Sequence, residues 1–250
     1  MEGRWLRWSV AFVWLATGLS VLQPYYRAVG HDYLGRLGLP DWVMGATCVA
    51  EVLLGLRVAL GGAATWLPLL QAAVILTFSV ILAFLEPLLL AHPYGVLTKN
   101  LPLLAVIGTC WLLEREGWSR RAYWLLRGGV AVIWITEGVF PKILFQQPME
   151  REVVATSGLV PCDPGLFLAV LGAAETISGV LVLVLPCRPL RWLLVCQLAA
   201  LVVLPVLVSL HDEVLWVHPF GPLIKNVPIL VATVVLLRRE WAPAGACATG

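Results

Sequence analysis

His92-Pro-Tyr-Gly-Val-Leu-Thr-Lys99-Asn100-Leu-Pro-Leu-Leu104 and His218-Pro-Phe-Gly-Pro-Leu-Ile-Lys225-Asn226-Val-Pro-Ile-Leu230 are two copies of one stretch. They agree at eight of thirteen positions and lie 126 residues apart in a chain of 250. An internal repeat defines the structural unit before any local pattern is read. The chain therefore divides into similar halves, 1–118 and 119–241, followed by a short tail, 242–250, that is expected to be disordered. The repeat also singles out His92, Lys99 and Asn100, with their partners His218, Lys225 and Asn226, as positions both halves have kept.

Outward from the repeats the chain is apolar. Sixty per cent of its residues are hydrophobic and 13 % are charged, whereas a soluble domain is about a quarter charged. Such a chain expects a lipid bilayer as its partner. About 20 apolar residues cross a hydrocarbon core near 30 Å thick, and eight such runs are visible, at 5–24, 42–61, 66–86, 97–114, 122–140, 165–186, 190–210 and 222–238. Four spans per half is an even number, so both halves share one orientation and the duplication is parallel. The expected fold is an all-α integral membrane protein whose eight transmembrane helices form two parallel-duplicated four-helix bundles. No small-residue cleavage site follows the first run, which continues Val21-Leu22-Gln23-Pro24-Tyr25, so that run reads as a retained span rather than a signal peptide.

Basic residues set the expected orientation. With both termini cytoplasmic, eleven arginines fall inside, against six basic residues outside. The expected location is the cytoplasmic (inner) membrane of a bacterium or archaeon, multi-pass. The net charge of +2 is then mainly a signal of sidedness, and no basic cluster calls for nucleic acid. Six cysteines give neither C-x-x-C nor zinc spacing, and the two repeat histidines lie in separate loops without a close-spaced ligand partner, so no metal site is expected.

Charges inside the spans are costly, on the order of 3 kcal/mol each near mid-bilayer. Glu51 and Glu175 stand at matching places in spans two and six, in Glu51-Val-Leu-Leu-Gly55 and Glu175-Thr-Ile-Ser-Gly179. Glu137 and Lys142 close span five, Lys99 and Lys225 open spans four and eight, and Glu86 and Asp212 close spans three and seven. On the expected topology these converge on the outer side as one polar cluster per half. All three lysines of the chain, which otherwise uses fourteen arginines, belong to it. A compact ammonium that pairs or changes protonation suits such a place better than a planar guanidinium. Trp14 and Trp134, matched within spans one and five, are candidate cavity walls. A plainer reading stands beside this one: His-Pro-x-Gly as a tight turn and Asn-x-Pro as helix-start punctuation.

The run Trp134-Ile-Thr-Glu137-Gly138-Val-Phe-Pro-Lys142, then Glu152, Glu175 with Gly179, and His218-Pro-Phe-Gly-Pro-Leu-Ile-Lys225-Asn226 resembles the DoxX-like family of four-helix membrane units. The resemblance covers 122–240 and extends to 1–116 through the duplication. The first half departs from it: Thr17 stands in the place of Glu137, and Leu22 or Gln23 in that of Lys142. The resemblance implies a link to membrane redox systems, with a quinone as candidate ligand and an oxidoreductase as candidate partner. No haem-ligand pair, iron–sulfur cysteine set or flavin fingerprint is visible in the sequence, so electrons would come from that partner. The outer loop 141–164 offers it a docking surface. Two alternatives remain open: a small-solute or ion transporter, and a scaffold subunit without chemistry of its own.

Overall fold

The computed structural model describes every residue except 63, 93–94, 159, 161, 212–216, 219–220 and 242–250, together with all described side chains but those of 149 and 208–211. The tail and Asp212 thus lie outside the described residues. Among those described, the chain is helical and contains no strand. Its helices are α1 (Glu2–Leu19), α2 (Pro24–Leu37), α3 (Trp42–Leu60), α4 (Trp66–Leu85), α5 (Asn100–Glu116), α6 (Arg120–Glu137), α7 (Pro148–Thr156), α8 (Pro164–Val184), α9 (Cys187–His211) and α10 (Asn226–Trp241). Helices α2 and α7 are additions to the sequence reading, in which 141–164 is a loop. Each opens with a proline at its first turn, where the missing N–H costs nothing and φ is already set for a helix. Both lie between the first and second long helix of their half.

Among the described residues, five helices are long and apolar enough to cross a membrane: the α1 segment extended to Leu22, α3, α4, α8, and α9 through Leu207. The other long helices, α5, α6 and α10, are shorter or more heavily charged at their ends, and they occupy the middle of the molecule. Helix α5 packs on α6, α1 on α10, and α5 on α10, which joins the halves. Within each half the same pairings recur: α1 with α3 and α6 with α8, α4 with α5 and α9 with α10. The outer helices present apolar side chains to the surroundings, Phe84 at 84 % and Leu60 at 82 % exposure, while Glu51, Lys99, Lys142 and Glu175 are buried. A soluble protein has the opposite arrangement, so contiguous exposed apolar faces on this scale mark a lipid-facing surface.

Small residues let the first two long helices of each half approach closely. A Cβ on Gly18 would lie 2.6 Å from the Cys48 carbonyl oxygen, and one on Gly179 would lie 2.7 Å from that of Ala131. Backbone cannot yield as a side-chain tip can, and small residues at such crossings carry the packing of membrane helices. Gly179→Ala is therefore expected to lower stability by about 1–3 kcal/mol through overpacking, measured as unfolding in detergent. Gly128→Ala, with open space around the added methyl, serves as the control and should leave the midpoint in place.

The end of the molecule that carries the N-terminus and Trp241 is tied by arginine. Arg127, buried in α6, donates from Nε to the Val182 carbonyl and from Nη2 to that of Leu185, each at 2.6 Å, closing the C-terminal end of α8. Arg239 bonds Glu2 at 2.7 Å and lies over the Trp118 ring. Cations at helix C-termini satisfy orphaned carbonyls and oppose the helix dipole. Part of the arginine excess at this end is therefore structural.

Candidate functional site

At the opposite end the described residues of the two repeats make matching backbone hydrogen bonds. In each, the glycine N–H donates back to the histidine carbonyl, Gly95 to His92 and Gly221 to His218, both at 2.9 Å. Both glycines have positive φ, +67° and +51°, the left-handed region that only glycine adopts freely. Gly95 also has no room for a side chain, since a Cβ there would press on a Glu137 carboxylate oxygen and on the Lys99 stem. The turn reading of His-Pro-x-Gly falls on 93–94 and 219–220, which lie outside the described residues; the lysines that follow are described.

Each repeat lysine crosses to the other half. Lys99 Nζ donates to the Pro222 carbonyl at 3.0 Å, and Lys225 Nζ donates to the Val96 carbonyl at 2.9 Å. Pro222 and Val96 are equivalent positions of the two repeats, so the exchange is reciprocal. The neighbouring asparagines stay at home. Successive residues at a helix start point about 100° apart, and a Lys-Asn pair can therefore serve two cavities at once.

Those cavities lie one in each half. The N-terminal one, of about 240 Å³, is bounded by α1 to α5 and lined by Trp14, Tyr26, Glu51, Phe78 and Asn100, together with Lys225 from the other half. The C-terminal one, of about 150 Å³, is lined by Trp134, Glu137, Lys142, Glu150, Glu175 and Asn226, together with Lys99 from the other half. Sequence alone groups Lys225 with Glu175; the structure sets it opposite Glu51.

The C-terminal cavity is the more heavily charged. Lys142 is its centre, with Nζ 3.1 Å from Glu175 Oε2, 3.6 Å from Glu150 Oε1 and 3.3 Å from the Glu137 carbonyl oxygen. The chain reaches this arrangement through a π-helical turn over Gly138–Leu144 with Pro141 inside it. Proline removes one N–H from the ladder, and the widened turn re-aims the side chains on its C-terminal side. Thr98 donates to the Glu137 carboxylate from the N-terminal repeat. Glu150 enters from α7, outside the expected spans, and burial raises its carboxyl above the usual range against the opposing pull of Lys142.

The matched tryptophans differ in one respect. Trp14 Nε1 donates to Gln71 Oε1 at 2.9 Å. Gln197 stands 126 residues after Gln71, yet among the described residues neither its Oε1 nor Trp134 Nε1 has a hydrogen-bond partner. The bond closed in the first half is open in the second, leaving a buried donor in the cavity wall. Asn226 Oδ1 is likewise without a partner among the described residues, whereas Asn100 Nδ2 donates to Ser79 at 2.7 Å.

Other candidates fall outside the cavities. Glu86 accepts from Tyr33 and lies 3.9 Å from Arg36, with its side chain 40 % exposed. His92 and His218 are within electrostatic reach of each other, and burial, then His218, then Lys99, push the His92 imidazole down to about 4. At neutral pH it carries no charge. His218 lies near the Tyr25 ring, with centroids 6.0 Å apart. Glu150, Thr98, Gln71 and Gln197 carry no local signal in the sequence that singles them out, although the two glutamines share the 126-residue offset of the repeats, and that offset could have found them.

The model of the DoxX-like family matches this chain twice, over residues 11–108 and again over 131–234. No curated protein and no solved structure matches.

Proposed function

The chain belongs to the DoxX-like family as a tandem duplicate of its unit, and from that premise we propose that it binds a quinone or similar lipophilic carbonyl compound in the C-terminal cavity and serves a partner oxidoreductase. In this reading all eight long helices span the cytoplasmic membrane, with both termini inside. The units are the four-helix bundles 1–118 and 119–241, and the polar cavities lie toward the outer side. The central helices α5, α6 and α10 span despite their charged ends because those ends reach the interface, where long side chains snorkel.

The observation that carries the ligand reading is the buried Trp134 N–H, which has no acceptor of its own among the described residues and lines the cavity. An unpaired buried donor costs about 1–3 kcal/mol, a cost that a carbonyl oxygen removes. The Lys99 ammonium, which spends one N–H on the Pro222 carbonyl, adds a further donor on the same wall. The rest of that wall is apolar, from Leu171, Ala200, Leu201 and Leu204. Leu204 is also 39 % exposed on α9, which gives a ring-shaped apolar ligand a route in from lipid.

A quinone, when bound, supplies two-electron, two-proton carrier chemistry. The chain's own residues hold and move the protons. Three carboxyls, Glu137, Glu150 and Glu175, face two ammoniums, Lys99 and Lys142. The fully ionised cluster carries one excess negative charge, and one retained proton makes it neutral. Interacting groups of this kind titrate as a set rather than singly.

An organic extract of detergent-purified protein tests the reading by mass spectrometry. The parent should carry quinone at near-stoichiometric amount. Trp134→Phe keeps the ring and removes the donor, and should lower retention by about tenfold, the equivalent of 1.4 kcal/mol for one lost hydrogen bond. Glu175→Gln should lower it as well. A parent extract holding only bulk lipid would sink the proposal.

A further inference from the structure

We propose that the N-terminal cavity is a second, chemically distinct binding site, which takes a neutral apolar molecule through a single hydroxyl, an alcohol or phenol, held between Glu51 and Lys225. The larger of the two cavities, at about 240 Å³, is not the more polar one. Its walls from α2, α3 and α4 are almost wholly aliphatic or aromatic, Leu34, Met44, Phe78 and Leu82 among them. A purely apolar cavity would need nothing more than lipid tails. This one has a carboxyl group in its wall.

Glu51 is 9 % exposed, and its Oε2 has no hydrogen-bond partner among the described residues. Lys225 lines the same space and uses an N–H on Val96. The two are within electrostatic reach, yet no ion pair within 4.0 Å joins them among the described residues, in contrast to Lys142 and Glu175 at 3.1 Å. A hydroxyl suits that gap because it both accepts and donates: its oxygen takes an N–H from Lys225 and its proton goes to Glu51. A carbonyl can only accept, and an ether likewise.

Most of the other polar groups nearby already have a partner within the protein, Asn100 Nδ2 on Ser79 among them, which favours a ligand with one polar function. Trp14 is bonded to Gln71, Thr17 to the Val13 carbonyl, Thr47 to the Val43 carbonyl, and the Tyr26 hydroxyl contacts Cys48 Sγ at 3.4 Å. The difference from the C-terminal cavity therefore arises from the residues themselves. There an indole donor is open alongside acceptor oxygens of Asn226, Glu150 and Glu175, and here the open group is a carboxylate acceptor with no such indole donor beside it among the described residues.

The test uses a diazirine-bearing fatty alcohol and its O-methyl ether, photolysed with the full-length protein in lipid nanodiscs, with peptide mass spectrometry to place the adducts. The alcohol is expected to label residues of 24–51 and 75–85 at least fivefold more than the ether. Glu51→Leu should bring alcohol labelling down to the ether's level. Trp134→Phe should leave it unchanged, which separates this site from the quinone reading. Equal labelling by alcohol and ether in the parent protein, a comparison that needs no variant, would overturn the proposal and make the cavity a space for lipid tails. Undiminished labelling in Glu51→Leu would overturn it too.

Discussion

Lys142→Ala is expected to destabilise the protein by about 3–5 kcal/mol, the cost of breaking a buried ion pair by removing one partner. Lys142 is 8 % exposed at the side chain and faces Glu175, also 8 % exposed, with Glu150 at 14 %. Taking it away leaves three carboxyls around a cavity with Lys99 as the remaining cation on its wall. The loss should appear as a lower unfolding midpoint in detergent and reduced yield from membranes. The cause is separable from lost packing. If uncompensated charge is responsible, Lys142→Met combined with Glu175→Gln should recover more than half of the loss, since replacing both partners of a buried pair is often close to neutral. A double variant no better than the sum of the single ones would assign the effect to the π-helical turn instead.

Much of this is legible in the sequence because duplication makes a chain its own comparison. Offsets of 120 for Trp14 and Trp134, 124 for Glu51 and Glu175, and 126 for the lysines mark the matched positions. The apolar runs mark the helices, since a bilayer demands length and hydrophobicity and little else. Helices α2 and α7 escape because they are short and mixed in polarity, so no long apolar run announces them. Glu150 escapes with α7, since an acidic residue in a polar loop has no local signal of burial. The lysine exchange escapes for a different reason: spacing tells which face of a helix a residue occupies, but not which neighbour packs there. Sequence puts Lys225 with Glu175 because both belong to the same half, and the packing of α5 against α10 overrides that membership. That Trp134 Nε1 and Gln197 Oε1 both lack a hydrogen bond among the described residues is a detail of packing, which no pattern encodes.

The exchange makes the second large prediction, one that runs against sequence proximity. Lys99→Ala, a change in the first half, should empty the cavity of the second half, lowering quinone retention at least as far as Trp134→Phe does. Lys225→Ala, a change beside Asn226 of the second half, should leave quinone retention near the parent's and instead abolish alcohol labelling around Glu51. Each variant loses one charge-assisted bond to a backbone carbonyl, so each should also lower stability by about 1.5–3 kcal/mol. Equal stability losses with opposite ligand losses are hard to obtain from general damage to the fold, which would weaken both sites together. If the halves were self-contained units joined only by a linker, the pattern would reverse: Lys225→Ala would lose quinone and Lys99→Ala would keep it. Quinone retention and alcohol labelling measured on the same two preparations decide between crossed and separate sites. The crossed outcome gives a physical reason for the duplication, because neither half brings its own repeat lysine to its own cavity.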